Sequence, residues 1–241
     1  MSTQSAFPTT NAFQELPERF LVVAQHYKDE AASSARQMKM QLQQELGRLN
    51  TNAEIYLDSD DLRDLRRLLD AVKDSEVLVL MQTRHLLSRP WALLEIYTAI
   101  TCGVPIVTVQ VQGPACYSFS DAQVFLDNFP AELERRNPGA GRMVLNHVAT
   151  GHDLNHVGSL LKAVIPFVIS KTFTPAASMN VLRAEMADLI IAMDEAVREG
   201  APVVKEVAGQ FEVQQTAEYN RRARRLSSVV PGFKEAVAED V

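Results

Sequence analysis

The sequence predicts an α/β fold in which helices cover both faces of a parallel, doubly wound sheet. Short apolar runs alternate with amphipathic stretches from residue 20 to residue 111, and the runs are apolar at consecutive positions. Strands that are buried on both faces show such unbroken runs. Strands that alternate with helices pair in parallel through right-handed crossovers. Both observations therefore favour this fold class over an all-helical or antiparallel one.

Each element of the first half follows from its own pattern. The segment 62–72 carries leucines at helical spacing, which predicts an amphipathic helix. Pro90 suits the first turn of a helix and Gly103 suits the position after its end. In chain order we predict a strand over 20–24, a helix over 32–49, a strand over 53–57, a helix over 62–72, a strand over 76–81, a helix over 90–101 and a strand over 104–111.

Patterns after the fourth strand are weaker. A helix is predicted over 121–135 with a break at Pro130, followed by a short edge strand over 142–148 and a helix over 153–169. Three histidines, His147, His152 and His156, fall in this part of the chain. Their spacing is not typical of a metal site, so we interpret them as surface loop residues.

We divide the chain into a flexible leader over 1–18, an α/β domain over 19–172 and a helical C-terminal extension over 173–241 with a loosely structured tail. Apolar residues recur at three- and four-residue steps over 177–198, which predicts a long amphipathic helix. This helix packs either on its own domain or against a partner helix. Ser227 follows a basic cluster of the kind that basophilic kinases recognise, a pattern that also arises by chance.

Composition limits the classes of function. With 30 acidic and 24 basic residues the net charge is −6, which argues against a general nucleic-acid binder. Two cysteines are too few to staple a chain of 241 residues. Neither a secretory signal nor an apolar run long enough to span a membrane is present. We expect a cytoplasmic protein without a membrane span.

Ligands of parallel α/β sheets bind beyond the carboxyl ends of the strands. That rule selects the segments 25–28, 58–61, 82–89 and 112–113. The acidic segment that begins at Asp58 resembles a Mg²⁺ site, but a helix N-cap with an acidic first turn explains it more simply, so we expect no metal.

Glu95 is the residue that fits its surroundings least. It lies in the helix PWALLEIYTAIT, where almost every neighbour is apolar. A charge among apolar groups costs several kcal/mol unless it is paired or neutralised. One explanation is an ion pair with Arg84, Arg89 or another helix. The other is a carboxylate that faces the ligand cleft, with Trp91 one turn earlier on the same face.

The segment Trp91 to Ala99, WALLEIYTA, and the following Cys102-Gly103 resemble a motif of Toll/interleukin-1 receptor (TIR) domains. The whole stretch from 53 to 109 follows the order of elements in that family, and the resemblance extends over about residues 19–170. The similarity is greatest to the TIR domains that cleave NAD. It implies a flavodoxin-like sheet and a role in signalling or defence.

The resemblance implies that the chain is an NAD nucleosidase, with NAD as substrate and hydrolysis of the nicotinamide–ribose bond, possible cyclic ADP-ribose formation, and self-association through the domain. Glu95 would be the catalytic carboxylate and Trp91 a wall of the site. Further candidate contacts to NAD are His26, Tyr27, Lys28, Asp58 and Arg84. Two alternatives remain: a non-catalytic TIR scaffold that acts by homotypic assembly, and an unrelated phospho-acceptor domain that uses Asp58.

Overall fold

A computed structural model of the chain describes residues 19–25, 28–49, 52–57, 65–207 and 210–214. The elements in chain order are β1 (Arg19–Gln25), α1 (Lys28–Arg48), β2 (Asn52–Leu57), α2 (Leu65–Asp74), β3 (Val77–Gln82), α3 (Pro90–Cys102), β4 (Ile106–Val111), α4 (Phe119–Asp127), α5 (Phe129–Arg136), α6 (Ala140–Leu145), α7 (Leu154–Val164), β5 (Ser170–Phe173), α8 (Met179–Glu199), β6 (Val203–Val207) and β7 (Gln210–Gln214).

Five of the strands form one parallel sheet in the order β2-β1-β3-β4-β5. Strand β1 lies between β2 and β3, with Val22 opposite both Ile55 and Val77. The direction in which successive strands are added reverses at β1. The carboxyl ends of β1 and β3 therefore border the topological switch point, where sheets of this kind bind ligands.

Helices cover both faces of this sheet, as predicted for the α/β class. Side chains of one strand alternate between the faces, so Leu78 and Leu80 belong to a different core from Val77, Val79 and Met81. We call the side of Leu78 and Leu80 the first face; its core includes residues of α2 to α7. The second face, on the side of Val77, is covered by α1 and α8.

Helix α3 begins and ends where the sequence predicts. Pro90 occupies its first turn, where the missing amide hydrogen costs no hydrogen bond. Gly103 caps its end with a φ of 73°, and its backbone N–H donates to the carbonyl oxygen of Ile100. All residues from Ala92 to Ala99 are buried, because α2, α6, α7 and the sheet surround this helix.

The prediction of an edge strand over 142–148 is wrong. Residues Ala140 to Leu145 form helix α6, in which Ala140, Gly141 and Val144 are buried at helical spacing. The edge strand is instead β5, later in the chain. Its four residues are mostly only partly buried, so no continuous apolar run marks it in the sequence.

Helix α8, which we assigned to a C-terminal extension, packs on its own domain. Met186, Leu189, Ile190 and Met193 share the second-face core with β3 and β4. Phe173, at the end of β5 and at the expected boundary, is fully buried in the same core.

The segment after α8, which we expected to be loosely structured, contains the antiparallel hairpin β6–β7. Val204 and Phe211 of this hairpin pack against the first-face core. The predicted leader over 1–18 and Ser227 lie outside the described residues. In the described part of the chain, no helix combines the length and the apolar character that crossing a bilayer requires.

Candidate functional site

The candidate site lies at the carboxyl edge of the sheet, where β1 and β3 are neighbours. The turn after β3 contributes Thr83, Arg84 and His85 to this edge, and α1 starts there at Lys28. These segments border the switch point, so a ligand bound there would meet the turn after β3 and the first turn of α1.

Glu30, in the first turn of α1, contacts the turn after β3. Its Oε2 accepts a hydrogen bond from the backbone N–H of His85 at 3.1 Å, and its Oε1 contacts the ring Nδ1 of the same histidine. Burial raises the pKa of the Glu30 carboxyl, but interactions with the nearby polar groups of Thr83 and His85 outweigh this effect, so the pKa lies below its ordinary value. Glu30 is therefore ionised at neutral pH.

Two other loops hold the segment between β3 and α3. The Arg84 guanidinium donates to the carbonyl oxygen of Pro114 at 2.9 Å, and the Arg84 backbone N–H donates to Ala115 at 2.9 Å. The Asn137 amide donates to the carbonyl oxygen of Ser88 at 3.0 Å. The connection that leads into α3 is thus fixed by contacts from three separate parts of the chain.

Glu95 lies in the second turn of α3, and 0% of its surface is exposed. Trp91, one turn earlier, is half-buried, and its ring centroid lies 5.0 Å from that of His147. The arrangement brings the carboxylate and the indole onto adjacent turns of one helix, as the sequence predicts. In this conformation a ligand reaches Glu95 only after the groups that cover it move.

Besides Glu95, a hydrogen-bonded cluster of polar side chains lies on the first face of the sheet, which α3 covers. The Ser170 hydroxyl donates to Gln82 Oε1 at 2.6 Å, and the Thr108 hydroxyl donates to Ser170 Oγ at 3.0 Å. Gln82 and Thr108 are almost completely buried. The interior of the first face is therefore polar near the carboxyl edge of β3.

The three histidines are not arranged as a metal site. His147 contacts Trp91, while His152 accepts or donates a 2.6 Å hydrogen bond at the Tyr97 hydroxyl and stacks on His156. His156 in turn meets the ring of Phe211 edge-on. Within the ranges that the structure describes, no group of three or more His, Cys, Asp or Glu is placed to hold a metal ion.

The other predicted contacts are only partly described. His26, Tyr27 and Asp58 lie outside the described residues, and Lys28 is described only as the first residue of α1. Glu30 was not among the predicted site residues. The signal that could have found it is an acidic residue in the first turn of a helix at the ligand edge, which the helix dipole favours.

No model of a known protein family matches this chain, and the search of curated proteins finds no match. The TIR resemblance therefore stays a prediction that rests on the residues between 53 and 109.

Proposed function

We propose that the chain is a TIR-like NAD nucleosidase with Glu95 as its catalytic carboxylate. One observation carries this proposal: a carboxylate is completely buried in the apolar helix α3, which starts beside the ligand edge of the sheet. Burying a carboxylate is costly even when it is paired, and active sites are where proteins most often keep such groups. A role in signalling or defence follows from the resemblance.

The strand order supports a flavodoxin-like arrangement within the α/β class. The observed order β2-β1-β3-β4-β5 is the order of flavodoxin-like sheets. In that arrangement α3 follows the strand next to the switch point, so its first turns face the region where a nucleotide binds. The TIR-like assignment combines this placement with the sequence motif that starts at Trp91.

The proposed reaction suits a single carboxylate. The bond between ribose C1′ and the nicotinamide nitrogen breaks, and the nicotinamide, which is cationic in NAD, leaves as a neutral molecule. No strong general acid is therefore needed. Positive charge develops on the ribose, where Glu95 stabilises it electrostatically and accepts hydrogen bonds from ribose hydroxyls. Water then adds at C1′ and releases a proton to solvent, which gives ADP-ribose.

The remaining candidate residues have supporting roles in this proposal. Trp91 forms a wall beside the reacting ribose. Arg84 and Lys28 are the candidates for contacts with the phosphates, and His26 and Tyr27 are the candidates for the adenine side. Asp58 is the candidate at the end of β2. No metal ion is required by this chemistry.

Burial of Glu95 adds a condition on activity. Because no part of Glu95 is exposed in the single chain, the active state must open the first face at this helix. We propose that self-association through the domain favours the open state, so turnover per chain should rise with protein concentration.

Nicotinamide release from NAD by the purified full chain, at a low and a high protein concentration, tests the proposal. Glu95→Gln keeps the size of the side chain and removes its charge, so we expect turnover to fall by at least about 100-fold with an unchanged circular dichroism spectrum. Asp188→Asn removes a carboxylate that is exposed on α8 and should leave turnover unchanged. Normal turnover in the Glu95 variant would exclude it as the catalytic carboxylate.

The complete burial of Glu95 also favours a second candidate, a non-catalytic TIR-like scaffold. A structural carboxylate needs no access to ligand, so a closed first face is its expected state. This candidate predicts no nicotinamide release at any protein concentration and self-association that survives Glu95→Gln. Analytical ultracentrifugation beside the NAD assay separates the two functions.

A further inference from the structure

We infer that Glu30 is a positioning residue for the Glu95 helix and that it acts through His85. The inference rests on the proposed function for its effect on NAD cleavage, but its structural part can be tested separately. Glu30 belongs to α1, on the second face, whereas Glu95 belongs to α3, on the first face. The contact between Glu30 and His85 joins the two helices across the switch point.

The geometry at Glu30 fixes both the backbone and the side chain of His85. One carboxylate oxygen accepts from the His85 backbone N–H at 3.1 Å, and the other contacts its ring Nδ1. The Glu30 side chain is 11% exposed, so water competes little for either oxygen. Two contacts to one residue restrict its backbone and its rotamer together, which a single surface ion pair does not do.

His85 is in turn hydrogen-bonded to Ser88, which lies just before the start of α3. The His85 carbonyl oxygen accepts from the Ser88 hydroxyl at 2.8 Å and from the Ser88 backbone N–H at 3.1 Å, which closes a tight turn. The next residue, Arg89, is the N-cap of α3 and accepts from the Leu93 backbone N–H at 3.0 Å. If His85 moves, the start of α3 moves with it. Trp91, in the first turn of the helix, and Glu95, in the second, therefore change position.

A purely structural ion pair predicts a different outcome. His85 is half exposed, and ion pairs at exposed positions contribute little to stability. If stability were the only role, the loss of Glu30 would change folding slightly and catalysis not at all. A positioning role predicts the opposite, because a displacement of about 1 Å at a reacting group can cost about 100-fold in rate.

The test compares Glu30→Ala and His85→Ala with Glu45→Ala, all in the full chain. Glu45 is a matched control, since it lies on the same helix, is 16% exposed and pairs with Arg48. We expect Glu30→Ala to lower kcat for NAD by about 10-fold or more with KM changed less than about twofold. Glu45→Ala should change neither. The double variant Glu30→Ala/His85→Ala should lower kcat no further than Glu30→Ala alone, because both substitutions remove the same interaction.

Conservative variants separate hydrogen bonding from general disruption. The Asn side chain offers an N–H donor close to the position of His Nδ1, so His85→Asn should recover most of the kcat lost in His85→Ala. Equal losses in His85→Asn and His85→Ala would contradict the proposed contact. Wild-type kcat in Glu30→Ala, in a preparation that cleaves NAD, would overturn the positioning role.

Two readouts do not depend on NAD cleavage. Trp91 is the only tryptophan, so its emission reports on the first turn of α3. We expect Glu30→Ala to shift this emission and to speed amide exchange over 84–93, while Glu45→Ala does neither. If the wild type cleaves no NAD, the proposed function fails, yet these signals still decide whether Glu30 holds α3. Emission and exchange identical to the wild type would overturn the inference.

Discussion

The two faces of the sheet are built differently. Two long helices of 21 residues each, α1 and α8, cover the second face, whereas shorter helices cover the first. The buried acid of the second face, Asp194, pairs with Arg198 on its own helix at 3.0 Å. Buried Gln82, Thr108 and Glu95 lie on the first face or in its helix.

We interpret this difference as a division of roles: the second face stabilises the fold, and the first face contains the residues proposed for catalysis. An apolar core of long helices suits a face whose task is to hold the sheet together. Polar groups inside the other face cost stability and are retained where they serve a purpose. We therefore expect substitutions in the apolar core of the second face to act mainly on folding, and substitutions of the polar residues around α3 to act mainly on the proposed NAD cleavage.

The largest expected effect on stability is at Met186 of α8. Its side chain is 0% exposed in the second-face core, so Met186→Ala should lower the free energy of unfolding by about 2–5 kcal/mol. Met179→Ala, on the same helix at 48% exposure, should change it by less than about 0.5 kcal/mol. Urea denaturation measures both. Equal free energies of unfolding for the two variants would show that α8 is not part of the core. That result would favour the alternative in which α8 packs against a partner helix.

Much of the fold was predictable because it rests on strong local patterns. Strand β3, with all six residues buried, and α3, bounded by Pro90 and Gly103, carry signals that need no tertiary information. Strand β5 was missed because only one of its four residues, Phe173, is buried, and α6 because its short buried face resembles an edge strand. Helix α8 packs on an apolar surface beside β4 that the other helices leave uncovered. That surface forms only when the sheet has assembled, so the sequence alone does not reveal it.

A second prediction uses two glycines, one in each layer of helices. A Cβ at Gly158 of α7 would lie 2.7 Å from the Cβ of Phe129, a side chain that is 2% exposed. We expect Gly158→Ala to cost about 1–3 kcal/mol by overpacking the first face. Gly47 in α1 has no atom within 4 Å of such a Cβ, so Gly47→Ala should stabilise the chain by about 0.5–1 kcal/mol.

Thermal unfolding of the two alanine variants gives changes of opposite sign if the packing of α7 on α5 is as described. A neutral Gly158→Ala would mean that the short helices of the first face shift easily. That result would show that the first face is more deformable than the second. A first face that adapts at α7 would also be expected to open around Glu95.

The candidate site was predictable only in part. Glu95 and Trp91 follow from one helix, where polarity and spacing are visible along the chain. Glu30 and His85 are 55 positions apart, and only the pairing of β1 with β3 brings them together. Complete burial of Glu95 likewise follows from the packing of α2, α6 and α7 around α3, which no local pattern specifies.

The smallest expected effect concerns an ion-pair network of the first face, on α5. Hydrogen bonds from Arg135 and Arg136, at 2.7 and 2.9 Å, lower the pKa of Glu132 from its ordinary 4.5 to about 2. Between these values the native state binds fewer protons at Glu132 than the unfolded state does. Its contribution to stability is therefore complete above pH 4.5 and is lost as the pH falls towards 2.

Glu132→Gln removes this contribution, so the variant should melt below the wild type at pH 6 and approach it as the pH falls towards 2, which melting temperatures across that range measure. Arg135 is 65% exposed, so solvent screens the pair, and added salt should narrow the gap at pH 6. Parallel melting curves at all pH values would mean that Glu132 is not held by its arginines.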